Sequence, residues 1–220
     1  MTGVICLTLH LTRVGFQNLP FPSVSAMSSA SLDVLRYRIP ARMRELESFV
    51  RLGVALESNP PTSDIAVKIG DSSYSTTDHR FLLHPLADAA AIISRGLLNF
   101  LGLSSQNGSL IAKPLTRKDD LKMSDIGLDW VSVLSATSGW PFPPGDAEVK
   151  LMLCLRCADK VSAHLTHQSA VSNNLNIASL VDAADFVNQL INREVYVALG
   201  LPPVNFGHGS AHGLISVSQS

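Results

Sequence analysis

Four side chains recur along the stretch 156–167: Arg156, Lys160, His164 and His167. In a helix, at about 100° per residue, they fall within about 80° of one another. A basic stripe of this kind suits a phosphate. A histidine within it suits proton transfer, because imidazole titrates near neutrality. A solvated polar face accounts for the same pattern equally simply. A second line is made by His84, Asp88, Arg95 and Asn99, within roughly 60° of one another on a helix. His84 and Asp88 are one turn apart and can hydrogen-bond, and so can Arg95 and Asn99. This line reads either as a polar network between helices or as one wall of a binding or catalytic cleft shared with the first stripe.

Cys154 and Cys157, followed by His164 and His167, invite a zinc reading. In one continuous helix Cys154 and His167 stand about 20 Å apart, whereas tetrahedral zinc holds every ligand at ~2.0–2.3 Å. Ala158–Ala163 contains no Gly or Pro to turn the chain back. The pair lacks a preceding βαβ pattern, which argues against thioredoxin-like redox chemistry. Both cysteines are expected in the core. A different metal cluster would join His84 and Asp88 to His164 or His167 across two helices. His208 and His212 lie among glycines and read as incidental. There is no phosphate loop, nucleophile elbow or His-Glu-x-x-His, and no cofactor or metal is expected.

These groups need elements to position them. The chain has 220 residues, 46% of them apolar and 16% charged, with a formal net charge of -1. That supports one packed domain and excludes global disorder. It also lacks the basic surplus of most nucleic-acid binders, leaving only a local patch for such a role. Three cysteines, Cys6, Cys154 and Cys157, do not form a secreted disulfide framework. No apolar run reaches the ~20 residues of a membrane span, and the N-terminal run lacks the shape of a secretory signal. The expected compartment is cytoplasmic, with no membrane partner.

Residues 1–30 are turn-rich and aperiodic and read as a poorly ordered segment. Met27 offers an alternative start. The bundle domain is expected over 31–203, and a flexible tail over 204–220. Helical periodicity predicts four helices: Ala41–Glu57, with Pro40 at its start; Asp78–Leu101, interrupted by Pro85 and ended by Gly102; Asp146–His167; and Asn176–Leu199, ended by Gly200. Short strands are expected at Ile65–Ile69 and Leu110–Leu115, and a short helix or turn at Lys122–Val133. Trp140 and Phe142, among prolines, should cap the bundle. The predicted fold is mainly α, a four-helix-type bundle with a long irregular connection between the second and third helices.

Asp159-Lys160-Val161-Ser162-Ala163-His164 resembles a degraded Arg-polar-x-x-x-His motif of HEPN domains, helical bundles found in prokaryotic RNases, toxin–antitoxin systems and phage defence. The resemblance covers roughly residues 41–200. His164 matches, Lys160 takes the polar position, and the family's catalytic Arg falls at Asp159. The resemblance implies a homodimer and metal-free RNA chemistry, while the missing Arg favours a binding, partner or structural role. The leading expectation is therefore a non-catalytic HEPN-like module that binds RNA or a protein. The alternatives are a metal-independent endoribonuclease using His164 with Lys160 and Arg156, and a metal-dependent bundle enzyme.

Overall fold

Apolar residues at helical spacing govern most of the chain, and the computed structural model of the protein is mainly α. It describes residues 4–8, 28–58, 65–69, 71–76, 80–113, 120–163, 177–206 and 215–218. The first helical run begins earlier than periodicity suggests. Ser28 caps it, its hydroxyl accepting from Ser31 N at 3.1 Å. Ser29–Asp33 (α1) leads through a π turn, Val34–Arg38, into Ile39–Ser58 (α2). Pro40 lies inside this run rather than at its start. Its ring cannot donate to the preceding turn and crowds it, and the ladder widens just ahead, where Ile39 N–H reaches back to Val34 O.

The second long helix, Arg80–Phe100 (α3), passes through Pro85, which lies on its exposed side. Leu83, Ala87, Ala90, Ala91, Leu97 and Leu98 form its buried face. It stops at Gly102, where φ is +83° and where a Cβ would stand 2.8 Å from Trp130 Cβ. Handedness and crowding both demand glycine there.

The middle connection carries more structure than expected. Leu103–Gln106 and Ser109–Ala112 pair as an antiparallel hairpin through Asn107-Gly108, both at positive φ. A 3-10 turn follows at Met123–Ile126, then the short helix Val133–Thr137 (α4), capped by Ser132. Pro144–Ala163 (α5) opens with proline, whose missing N–H is harmless in a first turn. Ile177–Ile191 (α6) continues as a π turn, Asn192–Val197, and the chain leaves at Gly200 with φ +69°.

In chain order the strands are β1 (Val4–Thr8), β2 (Ile65–Ile69), β3 (Ser72–Thr76), β4 (Leu103–Gln106), β5 (Ser109–Ala112) and β6 (Ile215–Ser218). β2 falls where expected, and β3 is a strand that local periodicity does not predict. A four-stranded sheet has the order β3-β2-β1-β6, with β1 parallel to β2 and the other two pairs antiparallel. The outer strands of the chain, β1 and β6, belong to the segments read as a poorly ordered start and a flexible tail.

α2, α3, α5 and α6 pack on one another around one apolar cluster that includes Met43, Leu46, Leu98, Leu151, Leu180 and Leu190. No described helix is long and apolar enough to cross a membrane.

Candidate functional site

α3 and α5 lie side by side, and the described contact from the α3 line to α5 is made by Arg95 with Asp159, a residue outside both predicted lines. Arg95 Nη1 on α3 donates to Asp159 Oδ1 on α5 at 3.1 Å. The Ser105 hydroxyl of β4 reaches the other Asp159 oxygen at 3.5 Å. One turn back on α5, Arg156 Nη2 donates to Gly108 O at the hairpin turn, at 3.1 Å. Both arginines thus fasten secondary elements to each other. The pair is exposed, with side-chain accessibilities of 37% and 57%. Such pairs contribute only about 0–1 kcal/mol.

His84 and Asp88 sit half-buried on α3. Asp88 Oδ1 is closed off from solvent and has no hydrogen-bond partner among the described residues. Burial raises the Asp88 carboxyl above its usual range, and His84 nearby partly offsets this. Asn99 is half-buried near the helix end, where its carbonyl accepts from Gly102 N. His164 and His167 lie outside the described residues, and of Lys160 only the helical backbone is described. Among the described residues no three His, Cys, Asp or Glu side chains are grouped to hold a metal. The metal arrangement weighed above takes its third ligand from outside them.

Cys154 and Cys157 are fully buried. Burial pushes the Cys154 thiol up to about 12, despite the Ser94 hydroxyl beside it. That hydroxyl is itself closed off without a hydrogen bond of standard geometry. A thiol held in this way is poorly activated as a nucleophile at neutral pH.

Two polar centres escaped the sequence reading. The first is Arg193 in the π turn after α6. Its guanidinium lies 4.0 Å from the Trp140 ring centre and donates to Ser138 O at 2.9 Å, to Ser135 O, and to Glu194 Oε1 at 2.8 Å. Trp140 Nε1 donates to Ala136 O at 2.9 Å. Phe142 stacks on Trp140, and both rings meet Phe186 edge-on. Trp140 and Phe142 therefore do cap the helices, with Arg193 as the clamp. With all its described donors directed inward, this centre is structural.

The second is a line on α6 and the first residue of the turn after it: Asp185, Asn188, Gln189 and Asn192. Across from it on α2 stand Glu47 and Arg51, and these six border an open cleft of about 220 Å³. Asn192 clasps the backbone of Val204, donating to its carbonyl at 3.2 Å and accepting from its N–H at 2.7 Å. This brings residues 204–206 in as the third wall. The signal was present as polar residues at i, i+3, i+4 and i+7 on an apolar helix. It contains no histidine or cysteine, and so did not read as chemistry. Comparison with family models, with characterised proteins and with solved structures found no match for this chain.

Proposed function

We propose that the chain is a non-catalytic, HEPN-like helical binding module that works through a partner rather than by turning over a substrate. The observation that carries this reading is the Arg95–Asp159 pair. An acidic residue occupies the position at which the resemblance places a catalytic arginine, and an arginine of the neighbouring helix engages it. Reversing the charge there removes the cation that would stabilise a phosphate in transit. Arg156, the nearest replacement, is directed to the hairpin at Gly108. Cys154, closed off in the core, is poorly placed to attack a substrate.

The test incubates the full chain with a single-stranded RNA in the presence of a chelator. No cleavage above the protein-free control is expected, for wild type and His164→Ala alike. Fluorescence anisotropy on the same RNA and sedimentation velocity then distinguish an RNA partner from a second copy of the chain. RNA cleavage by wild type that vanishes in His164→Ala would replace this reading with the nuclease one.

A further inference from the structure

On a surface helix the polar residues ordinarily face water and the apolar ones face the core. α3 reverses this from Leu83 to its end. Its exposed residues there are Pro85, Leu86, Ala89, Ile92 and Gly96, none with a polar side chain. Leu86 is 37% exposed and Ile92 49%. At about 100° per residue, Pro85, Ala89, Ile92 and Gly96 lie within about 60° of one another, with Leu86 beside them. The polar residues His84, Asp88, Arg95 and Asn99 are half-buried along one flank of this line.

Gly96 gives a second, independent sign. It lies inside the helix, without the positive φ of Gly102, and a Cβ there would meet no atom within 4 Å. Neither handedness nor internal crowding requires glycine at this position, and glycine loosens a helix interior. The missing side chain leaves a notch that the described fold does not use. Ala89 keeps the same line low one and a half to two turns earlier.

The pattern fits a second copy of the chain. Two α3 helices can lie antiparallel about a two-fold axis that passes between the levels of Ala91 and Ile92. Such an axis brings the same flank of each helix together. Asp88 then stands level with the partner's Arg95, and His84 with the partner's Asn99, because both pairs are centred on the same point of the helix. Opposite charges thus meet across the axis. Arg95 already engages Asp159 through Nη1, and a guanidinium carries five N–H donors, so one side chain can serve both carboxylates. Under the same axis the exposed line does not collide with itself. Pro85, Ala89, Ile92 and Gly96 of one helix alternate in height with those of the other, as knobs do with holes. A parallel pair would instead put the two polar flanks on opposite sides, with neither facing the other.

We propose that the exposed line of α3 is the docking surface for a second copy of this chain, packed antiparallel on it about a two-fold axis near Ala91 and Ile92. The inference rests on the binding reading above and deepens it by naming the partner and the surface. It makes no use of the motif on α5. A helix face about 16 Å long buries less than the roughly 1,600 Å² of a standard interface, so the dimer is a reversible one in the micromolar range.

The experiment is sedimentation velocity of the full chain from about 1 μM to about 1 mM. The weight-average mass is expected to rise from monomer towards dimer across that range. Ala89→Glu and Ile92→Arg each set a charge on the exposed line. Each should weaken dimerisation at least about tenfold, with an unchanged melting curve at the lowest concentration. Val149→Arg alters an exposed apolar residue of α5, 68% accessible, and should leave dimerisation unchanged. Mild oxidation then reads the register. Ile92→Cys should give a covalent dimer that neither wild type nor Leu86→Cys gives. The two copies of residue 92 lie beside the axis, whereas the two copies of residue 86 stand about 16 Å apart along the helices, beyond the reach of a disulfide. A chain that stays monomeric throughout, a dimer indifferent to both charge substitutions, or one weakened equally by Val149→Arg would overturn the proposal. Equal cross-linking through residues 86 and 92 would overturn the antiparallel packing in favour of a parallel pair. The binding reading itself fails on a separate observation, RNA cleavage that depends on His164.

Discussion

The α3–α5 and α2–α6 helix pairs differ in how closely their backbones approach and in where their polar residues lie. Along α3–α5 two arginines at the rim are engaged, Arg95 by Asp159 and Arg156 by the hairpin carbonyl, while Asp88 Oδ1 and the Ser94 hydroxyl on α3 have no hydrogen bond among the described residues. Beneath the arginines lie small or apolar groups such as Ser94 and Cys154. Along α2–α6 the backbones come so close at Gly53 that a Cβ there would overlap Val181 Cγ2. The same pair also borders an open cleft edged by Glu47, Arg51 and Asp185. Polar residues at helical spacing therefore mark two different things. Where the protein supplies both members of each pair, the line is mortar. Where the helices part, the line borders an open cleft.

The largest effect should come from neither polar line but from the core they edge. Leu151→Ala on α5 removes a fully buried side chain and should cost about 2–5 kcal/mol by urea denaturation. A loss no larger than that of a surface substitution would mean that α5 is not packed as described. Next, Gly53→Ala should destabilise by about 1–3 kcal/mol, since the stiff Val181 must give way. Adding Val181→Ala should recover part of that loss. Without recovery, the close approach of α2 to α6 is not what limits residue 53.

The Arg95–Asp159 pair should show a coupling energy below about 1 kcal/mol in a double-mutant cycle, shrinking as salt is raised. A coupling well above that would move the pair from rim to core and weaken its contrast with the cleft. The smallest effect concerns Asp88. Its folded carboxyl titrates above the ordinary 3.8 because of burial, with His84 opposing. The group therefore stabilises the fold fully below the unfolded value, and this contribution is lost as pH rises through the folded one. Asp88→Asn should flatten that part of the stability–pH curve and raise neutral-pH stability. An unchanged curve would show that Asp88 Oδ1 is better solvated than its surroundings imply.

The helices were legible because burial writes a 3.6-residue period into sequence, as Leu83, Ala87, Ala90 and Ala91 illustrate on α3. The β4–β5 hairpin carries a local signal in Asn107-Gly108, the dipeptide favoured where both turn residues need positive φ, and it is absent from the expectations above. The reading placed a strand on its far side and missed its near one. β1 and β6 pair across almost the whole chain, and nothing local encodes such a distant partner. The site was harder. Residue types with reactive reputations drew the reading to α3 and α5. The unpartnered acceptor on α6 is Asn188 Oδ1, whose unmet hydrogen bond exists only once Met43 is known to hold the other half of the amide.

The π turn ahead of Pro40 sets the winding phase of the first helical rod. Ser31, Leu35, Ile39 and Met43 recur every fourth residue, and all four are buried. With regular winding, Ser31 would drift to about 80° from Ile39 and Leu32 would take the centre of the face. The wider turn takes up that drift. It keeps Ser31 on Asp125 O and leaves Leu35 O in line for the Tyr196 hydroxyl at 2.8 Å. One underwound turn thus keeps a rod of ordinary helix in step with two partners that a uniform screw could not meet at once.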